Sequence, residues 1–169
     1  MKIAAQLYSA REYTKTPQDI EATLRKIKEI GYDLVQISGF GPCDPELIAR
    51  WVKEIGLEVC LTHTPWDRLA DPGELKKVIA EHKNMHCPVI GLGARPSDVY
   101  ANTYEGWTRF IKKANEITKQ VKDEGLDFSY HNHEFEFEKW NGVTAMDRLI
   151  DEVPQMLITL SSSPMIFSM

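Results

Sequence analysis

Short apolar runs alternate with longer amphipathic ones along the chain. The first run, residues 2–8, is too short for a stable helix and reads as a strand. Thr16-Pro17 then supplies an N-cap and a proline at the first helical position, where the missing N–H costs nothing. Ile20, Leu24, Ile27 and Ile30 follow at helical spacing, and Gly31 stops the helix. The same punctuation recurs. Asp44-Pro45 opens a helix with Leu47, Ile48, Trp51, Val52 and Ile55 on one face, closed by Gly56. Asp71-Pro72 opens another with Leu75, Val78 and Ile79, and a longer one runs from about Thr103 to Gly125 with Trp107, Phe110, Ile111, Ala114, Ile117 and Val121 on its face. Between them residues 33–38, 57–63, 89–92 and 126–131 read as buried strands, and a last helix over 144–153 leads through Pro154 into a strand at 156–160.

This pattern is five βα units and one further strand. Regular alternation implies parallel strands joined by right-handed crossovers, which either an open doubly wound sheet or a closed (β/α)8 barrel satisfies. A barrel spends about 31 residues on each unit, so the 169 residues of this chain hold roughly five and a half. On the barrel reading the chain stops inside its sixth unit. On the open-sheet reading it is a complete six-stranded domain, and local pattern does not choose between them. Residues 1–160 form one domain without a linker. Residues 161–169 lack the helical periodicity that follows every earlier strand, as a broken-off or altered end would, or a flexible natural tail.

Composition narrows the class. With 43% hydrophobic and 27% charged residues, the chain is neither disordered nor of low complexity. Its 20 basic and 25 acidic residues are interspersed without a basic block, which argues against nucleic acid as a partner. No apolar run approaches the ~18–20 residues that span a bilayer, and Met1-Lys2-Ile3 leads directly into strand-like sequence, so neither a membrane span nor a signal peptide is expected. Three cysteines, Cys43, Cys60 and Cys87, without CxxC spacing fit a reducing cytoplasm.

Ligands of parallel βα folds bind at the carboxyl ends of the strands, where alternate residues face opposite sides. The fifth strand end is the richest: Tyr130-His131-Asn132-His133-Glu134-Phe135-Glu136-Phe137. Leu126, Phe128 and Tyr130 form one face and Asp127, Ser129, His131 and His133 the other, with Glu136 close behind. Imidazole and carboxylate suit a divalent metal and also move protons near neutral pH. A polar loop bonding to its own backbone would explain an HxH pair alone; the strand-end position and the following carboxylate turn the reading toward function. His63, closing the third strand, either binds a substrate hydroxyl or phosphate or is an ordinary loop residue. Gln6 and Gln36, amides inside apolar strands, either hydrogen-bond within the core or face a polar ligand, and together they would line the same surface as His131. His82 and His86 are read as solvated. Gly91-Leu92-Gly93-Ala94-Arg95-Pro96 is not GxGxxG and reads as a turn, with Arg95 a remote anion contact. No GxSxG, Walker A or HExxH motif is present.

With these residues placed, the chain resembles the sugar phosphate isomerases/epimerases of the xylose isomerase-like barrel superfamily, which also holds the AP endonucleases of family 2. The likeness runs from the first strand to about Leu160 and is carried by Gln6-Leu7-Tyr8-Ser9-Ala10-Arg11, Gly31-Tyr32-Asp33-Leu34-Val35-Gln36-Ile37-Ser38, Thr62-His63-Thr64-Pro65, Ile90-Gly91-Leu92-Gly93 and above all the segment from Tyr130 to Phe137. The resemblance implies an incomplete (β/α)8 TIM barrel and a divalent metal (manganese, zinc, cobalt or iron) at the strand ends. It also implies isomerisation or epimerisation of a sugar, sugar phosphate or related polyol by proton transfer next to a carbonyl. It assigns metal binding to His131 and Glu136, catalysis to His133 and Glu136, and substrate binding to Gln6, Gln36, His63 and Asn132. The family's sixth-strand aspartate is replaced, in Thr159-Leu160-Ser161, by serine, and its last two strands have no counterpart. The expectation is therefore a truncated chain of impaired activity that binds its metal weakly, whose open edge a second copy would cover. The rivals are a non-catalytic carbohydrate-binding domain using the same pocket, a DNA repair endonuclease, and a flavodoxin-like nucleotide binder.

Overall fold

The helices begin where their caps are written. In a computed structural model that describes residues 2–159 and, as backbone, Ile166–Phe167, Thr16 opens α1 (Pro17–Ile30) with a reciprocal capping box to Asp19. Asp44 caps α2 (Pro45–Ile55) and Asp71 caps α4 (Pro72–Asn84), each followed by proline. Thr103 caps α5 (Tyr104–Asp123), and Thr144 with Asp147 boxes α6 (Ala145–Glu152). Gly31 and Gly56 close α1 and α2 in the left-handed region, at φ of 109° and 76°. Two elements were not anticipated: a short helix, α3 (Trp66–Ala70), and a hairpin of β6 (Lys139–Trp140) and β7 (Val143–Thr144). Its turn, Asn141-Gly142, takes positive φ at both residues, 54° and 85°, as a two-residue hairpin demands.

The six parallel strands are β1 (Lys2–Gln6), β2 (Leu34–Ile37), β3 (Glu58–His63), β4 (Val89–Leu92), β5 (Asp127–His131) and β8 (Leu157–Thr159). The first is shorter than expected, because Leu7–Tyr13 coils into a 3₁₀ segment. Each strand pairs with the next in chain order from β1 through β5 to β8, without reversal. A doubly wound sheet reverses direction partway; this one does not, so the barrel-type reading holds.

One sheet face packs on helices. Val35 and Val59 join Ile20, Leu24, Trp51 and Val52, while Ile90, Phe128 and Tyr130 join Val78, Phe110, Ile117 and Leu149. The concave face carries a smaller cluster, Leu34, Cys60, Leu61 and Val89, drawn from strands alone. Segregation of this kind puts every helix outside an arc of strands, as in a (β/α)8 barrel.

Two segments bear on the chain's end. A short strand, β9 (Ile166–Phe167), runs antiparallel along β1, pairing Ile3 with Ile166, inside a stretch that the sequence marks only as atypical. Leu160 and Ser161, and with them the reading of serine in place of aspartate, lie outside the described residues.

Candidate active site at the strand ends

The alternation within β5 decides what faces the concave side. Phe128 and Tyr130 point outward and are fully buried beneath α5, so Ser129 and His131 point inward. Register carries this row across the sheet: His63 is level with Gly91, Gly91 with Ser129, and His131 with Thr159. Glycine at 91 is a packing requirement, since a Cβ there would sit 2.2 Å from the Thr62 carbonyl oxygen. Gly93 makes room for the His63 ring, whose Nδ1 would lie 3.0 Å from an added Cβ.

Three imidazoles follow one another along this rim. The His63 and His131 ring centroids are 5.1 Å apart, His131 and His133 5.2 Å, and His133 stacks on Phe135 at 5.4 Å with 6° between planes. The Gln36 amide donates to His63 Nε2 at 2.8 Å, which leaves the neutral ring its proton on Nδ1. Burial, reinforced by the neighbouring His131 and His133 rings, lowers the His63 pKa to about 4. Burial and His133 lower His131 as well. At neutral pH both rings are uncharged and able to accept protons.

Around them several buried polar atoms have no partner among the described residues: Gln36 Oε1, His131 Nδ1, Asn132 Oδ1 and His133 Nδ1. Buried polar atoms are normally satisfied, so these four are able to take a polar ligand. Asn132 holds its place by donating to the His133 carbonyl at 3.1 Å and, through its backbone N–H, to the Thr159 carbonyl at 3.2 Å. Gln6 sits level with Gln36 at the end of β1 and is exposed. The structure thus brings Gln36, His63, His131, Asn132 and His133 together, with Gln6 at the margin.

Glu136 is placed differently. It is fully buried, receives the Tyr130 hydroxyl on Oε1 at 2.5 Å and the His133 N–H on Oε2 at 2.8 Å, and faces the turn rather than solvent. Tyr130 in turn accepts the Arg95 N–H at 3.0 Å, and burial, reinforced by the adjacent Glu136, raises its phenol pKa. This chain of bonds ties the end of β4 to the turn after β5. Among the described residues no three His, Cys, Asp or Glu side chains are grouped to hold a metal ion. The described donor set therefore does not fit a divalent metal: the carboxylate proposed beside His131 is already committed to the turn.

His82 corrects its sequence reading. It is 3% exposed rather than solvated, held between Thr62 Oγ1 at 2.8 Å and the Val78 carbonyl at 2.7 Å on the helix side of the sheet. His86 is exposed, as expected. Sequence reasoning understated Arg95, which is 5% exposed beside the site; its position two residues past Gly93, at a strand end, was the available signal. A separate cavity of about 910 Å³ opens at the opposite ends of the strands, lined by Leu34, Val59, Cys60, Met85 and Val89, far from this chemistry.

No protein-family model and no curated protein matches the sequence. Solved structures do. A sugar phosphate isomerase/epimerase from Parabacteroides distasonis superposes with TM-score 0.68 at 18% identity, over 94% of this chain and 64% of its own. An AP endonuclease of family 2 from Brucella melitensis gives 0.65 at 16%, over 94% and 67%. A xylose isomerase-like TIM barrel protein from Mycobacterium smegmatis, in complex with magnesium, gives 0.68 at 12%, over 95% and 64%. The chain spans about two thirds of the length of these relatives. At such identities the likeness is one of architecture, and it agrees with the strand order and the segregated core: the chain has the fold of the xylose isomerase-like TIM barrels, over an arc of six parallel strands.

Proposed function

We propose that the strand ends form an isomerase/epimerase-type site for a sugar, sugar phosphate or related polyol. The observation that carries this reading is the row of imidazoles, His63, His131 and His133, set among amide and ring atoms without a partner among the described residues. Hydroxyl groups both donate and accept, so a polyol satisfies such a mixed set where an apolar ligand would not. Gln36, Asn132 and His63 would orient the hydroxyls, with Gln6 at the rim. His133 would take the proton from the carbon next to the carbonyl, the electron pair moving onto the carbonyl oxygen. Return of the proton to the other face, with the carbonyl re-formed, inverts that centre; its delivery to the former carbonyl carbon, as the adjacent hydroxyl becomes the new carbonyl and its proton passes to the first oxygen, isomerises the sugar. Glu136 would act by holding the His133 backbone.

A second reading, a carbohydrate-binding domain without chemistry, is favoured by the absence of a metal-holding group among the described residues and by the engaged Glu136 carboxylate. One experiment separates the two. The chain is incubated with a panel of ketoses and their phosphate esters in D₂O, with manganese or with chelator, and exchange of the carbon-bound hydrogen is followed by NMR. Exchange that disappears in His133→Asn supports the isomerase/epimerase reading, and its dependence on manganese decides whether a metal is needed. Binding without exchange supports the second reading, and absence of binding by a folded chain overturns both.

A further inference from the structure

Two arginines are buried, and they are treated in opposite ways. Arg148, 8% exposed, spends its guanidinium on Glu152, on Thr108 Oγ1 and on the Tyr104 carbonyl. Arg95, 5% exposed, leaves Nε and Nη1 without a hydrogen-bond partner among the described residues. Its guanidinium lies 4.7 Å from the Trp107 ring centroid and 5.6 Å from that of Phe135. Aromatic faces offset part of the cost of burying a cation, but they accept no strong hydrogen bond. Of the two carboxylates that act on it, Glu136 has both oxygens occupied by Tyr130 and His133, and Glu138 accepts from the Asn102 amide. A buried charged donor without an acceptor is expensive, and it is retained here at the edge of a ligand site.

That Arg95 belongs to this site follows from three contacts. Its own N–H is bonded to the hydroxyl of the outward-facing Tyr130, which passes the link through Glu136 to the His133 backbone. Gly93, two residues earlier, packs against His63. Phe135, beside the guanidinium, stacks on His133. The other groups at the site are amides and imidazoles, and the chain as a whole carries a formal charge of −5, so an anion approaching it is favoured by a fixed local cation.

We propose that Arg95 is the anion-recognising residue of the strand-end site, its free guanidinium nitrogens pairing with a phosphate or carboxylate group carried by the polyol. This inference rests on the reading of the site as a sugar site and narrows the ligand to an acidic one. A planar guanidinium matches both groups in fork geometry, which a lysine ammonium does not.

The intact chain is titrated calorimetrically with D-ribulose, its terminal phosphate ester and D-ribonate, beside Arg95→Gln and Arg95→Lys variants whose folding is checked by circular dichroism. The expected result is that one acidic ligand binds wild type at least about tenfold more tightly than D-ribulose. Arg95→Gln should lose that preference while still binding D-ribulose, and Arg95→Lys should recover part of it. Which acidic ligand is preferred identifies the group as phosphate or carboxylate. Equal binding of all three by wild type, or a preference that survives in Arg95→Gln, overturns the proposal. If none of them binds, the sugar reading fails separately, and Arg95 is judged by its own Nε–Hε NMR resonance during titration with inorganic phosphate. A saturable shift then upholds the anion role, and an unmoved resonance overturns it. Should Arg95→Gln not fold, the lysine variant and this resonance decide the matter.

Discussion

Glu136 receives a hydroxyl on one carboxylate oxygen and a backbone N–H on the other while fully buried. Glu136→Ala would strand both donors, at an expected cost of about 3 kcal/mol, measurable by urea denaturation; Glu136→Gln, which keeps one acceptor oxygen, should cost less. His63 yields a prediction in pH. Its native pKa is lowered to about 4 from 6.5, so between those values the unfolded chain binds the proton and the native one does not. Stability from this group is therefore complete above about pH 6.5 and declines as pH falls toward 4. Between neutral pH and pH 5 wild type should lose roughly 1–2 kcal/mol more than His63→Gln, read from urea midpoints at the two pH values. At this scale the sequence was only partly legible. The HxH pair, His63 and Gln36 could be picked out because their types are out of place on apolar strands. Neither the commitment of Glu136 nor the orphaned guanidinium of Arg95 could, because both depend on which groups arrive across the fold.

The elements were the most readable level. Thr16, Asp44, Asp71, Thr103 and Thr144 each cap the helix expected after them, since an N-cap acts on the backbone two or three residues away and needs no tertiary partner. Thr144→Ala should therefore cost about 1 kcal/mol in thermal or urea unfolding. The β6–β7 hairpin escaped although Asn141-Gly142 announces it; strands of two residues are too short for alternation to register. His82 escaped for a different reason. Helical spacing gives a residue's face, but Thr62 on the neighbouring strand is what holds the ring. Gly91 shows the same dependence: nothing local forbids a side chain there, whereas the Thr62 carbonyl does. Gly91→Ala is expected to destabilise the chain by about 3 kcal/mol, with β3 forced away from β4.

At the scale of the whole molecule the sheet ends unequally. The β1 edge is covered by β9, while β8 has β5 as its one strand neighbour among the described residues. Leu157 on β8 is 43% exposed. A parallel strand with one partner among the described residues and an exposed apolar side chain invites association, so sedimentation analysis should find the chain self-associating with concentration, and Leu157→Lys should weaken this without loss of helical signal. Among the described residues no helix is long and apolar enough to cross a membrane.

The sequence by itself determined the βα alternation, the helix boundaries and the grouping of imidazoles and a carboxylate at the fifth strand end. Each of these rests on local periodicity or on short-range capping, written within a few residues of where it acts. The tertiary structure alone decided between an open sheet and an arc of barrel, because that choice lies in the order of strand pairing. It alone set three imidazoles in a row, because His63 and His131 meet only when β3, β4 and β5 stand side by side. It alone separated Arg148, whose partners come to it, from Arg95, whose Nε and Nη1 have none among the described residues.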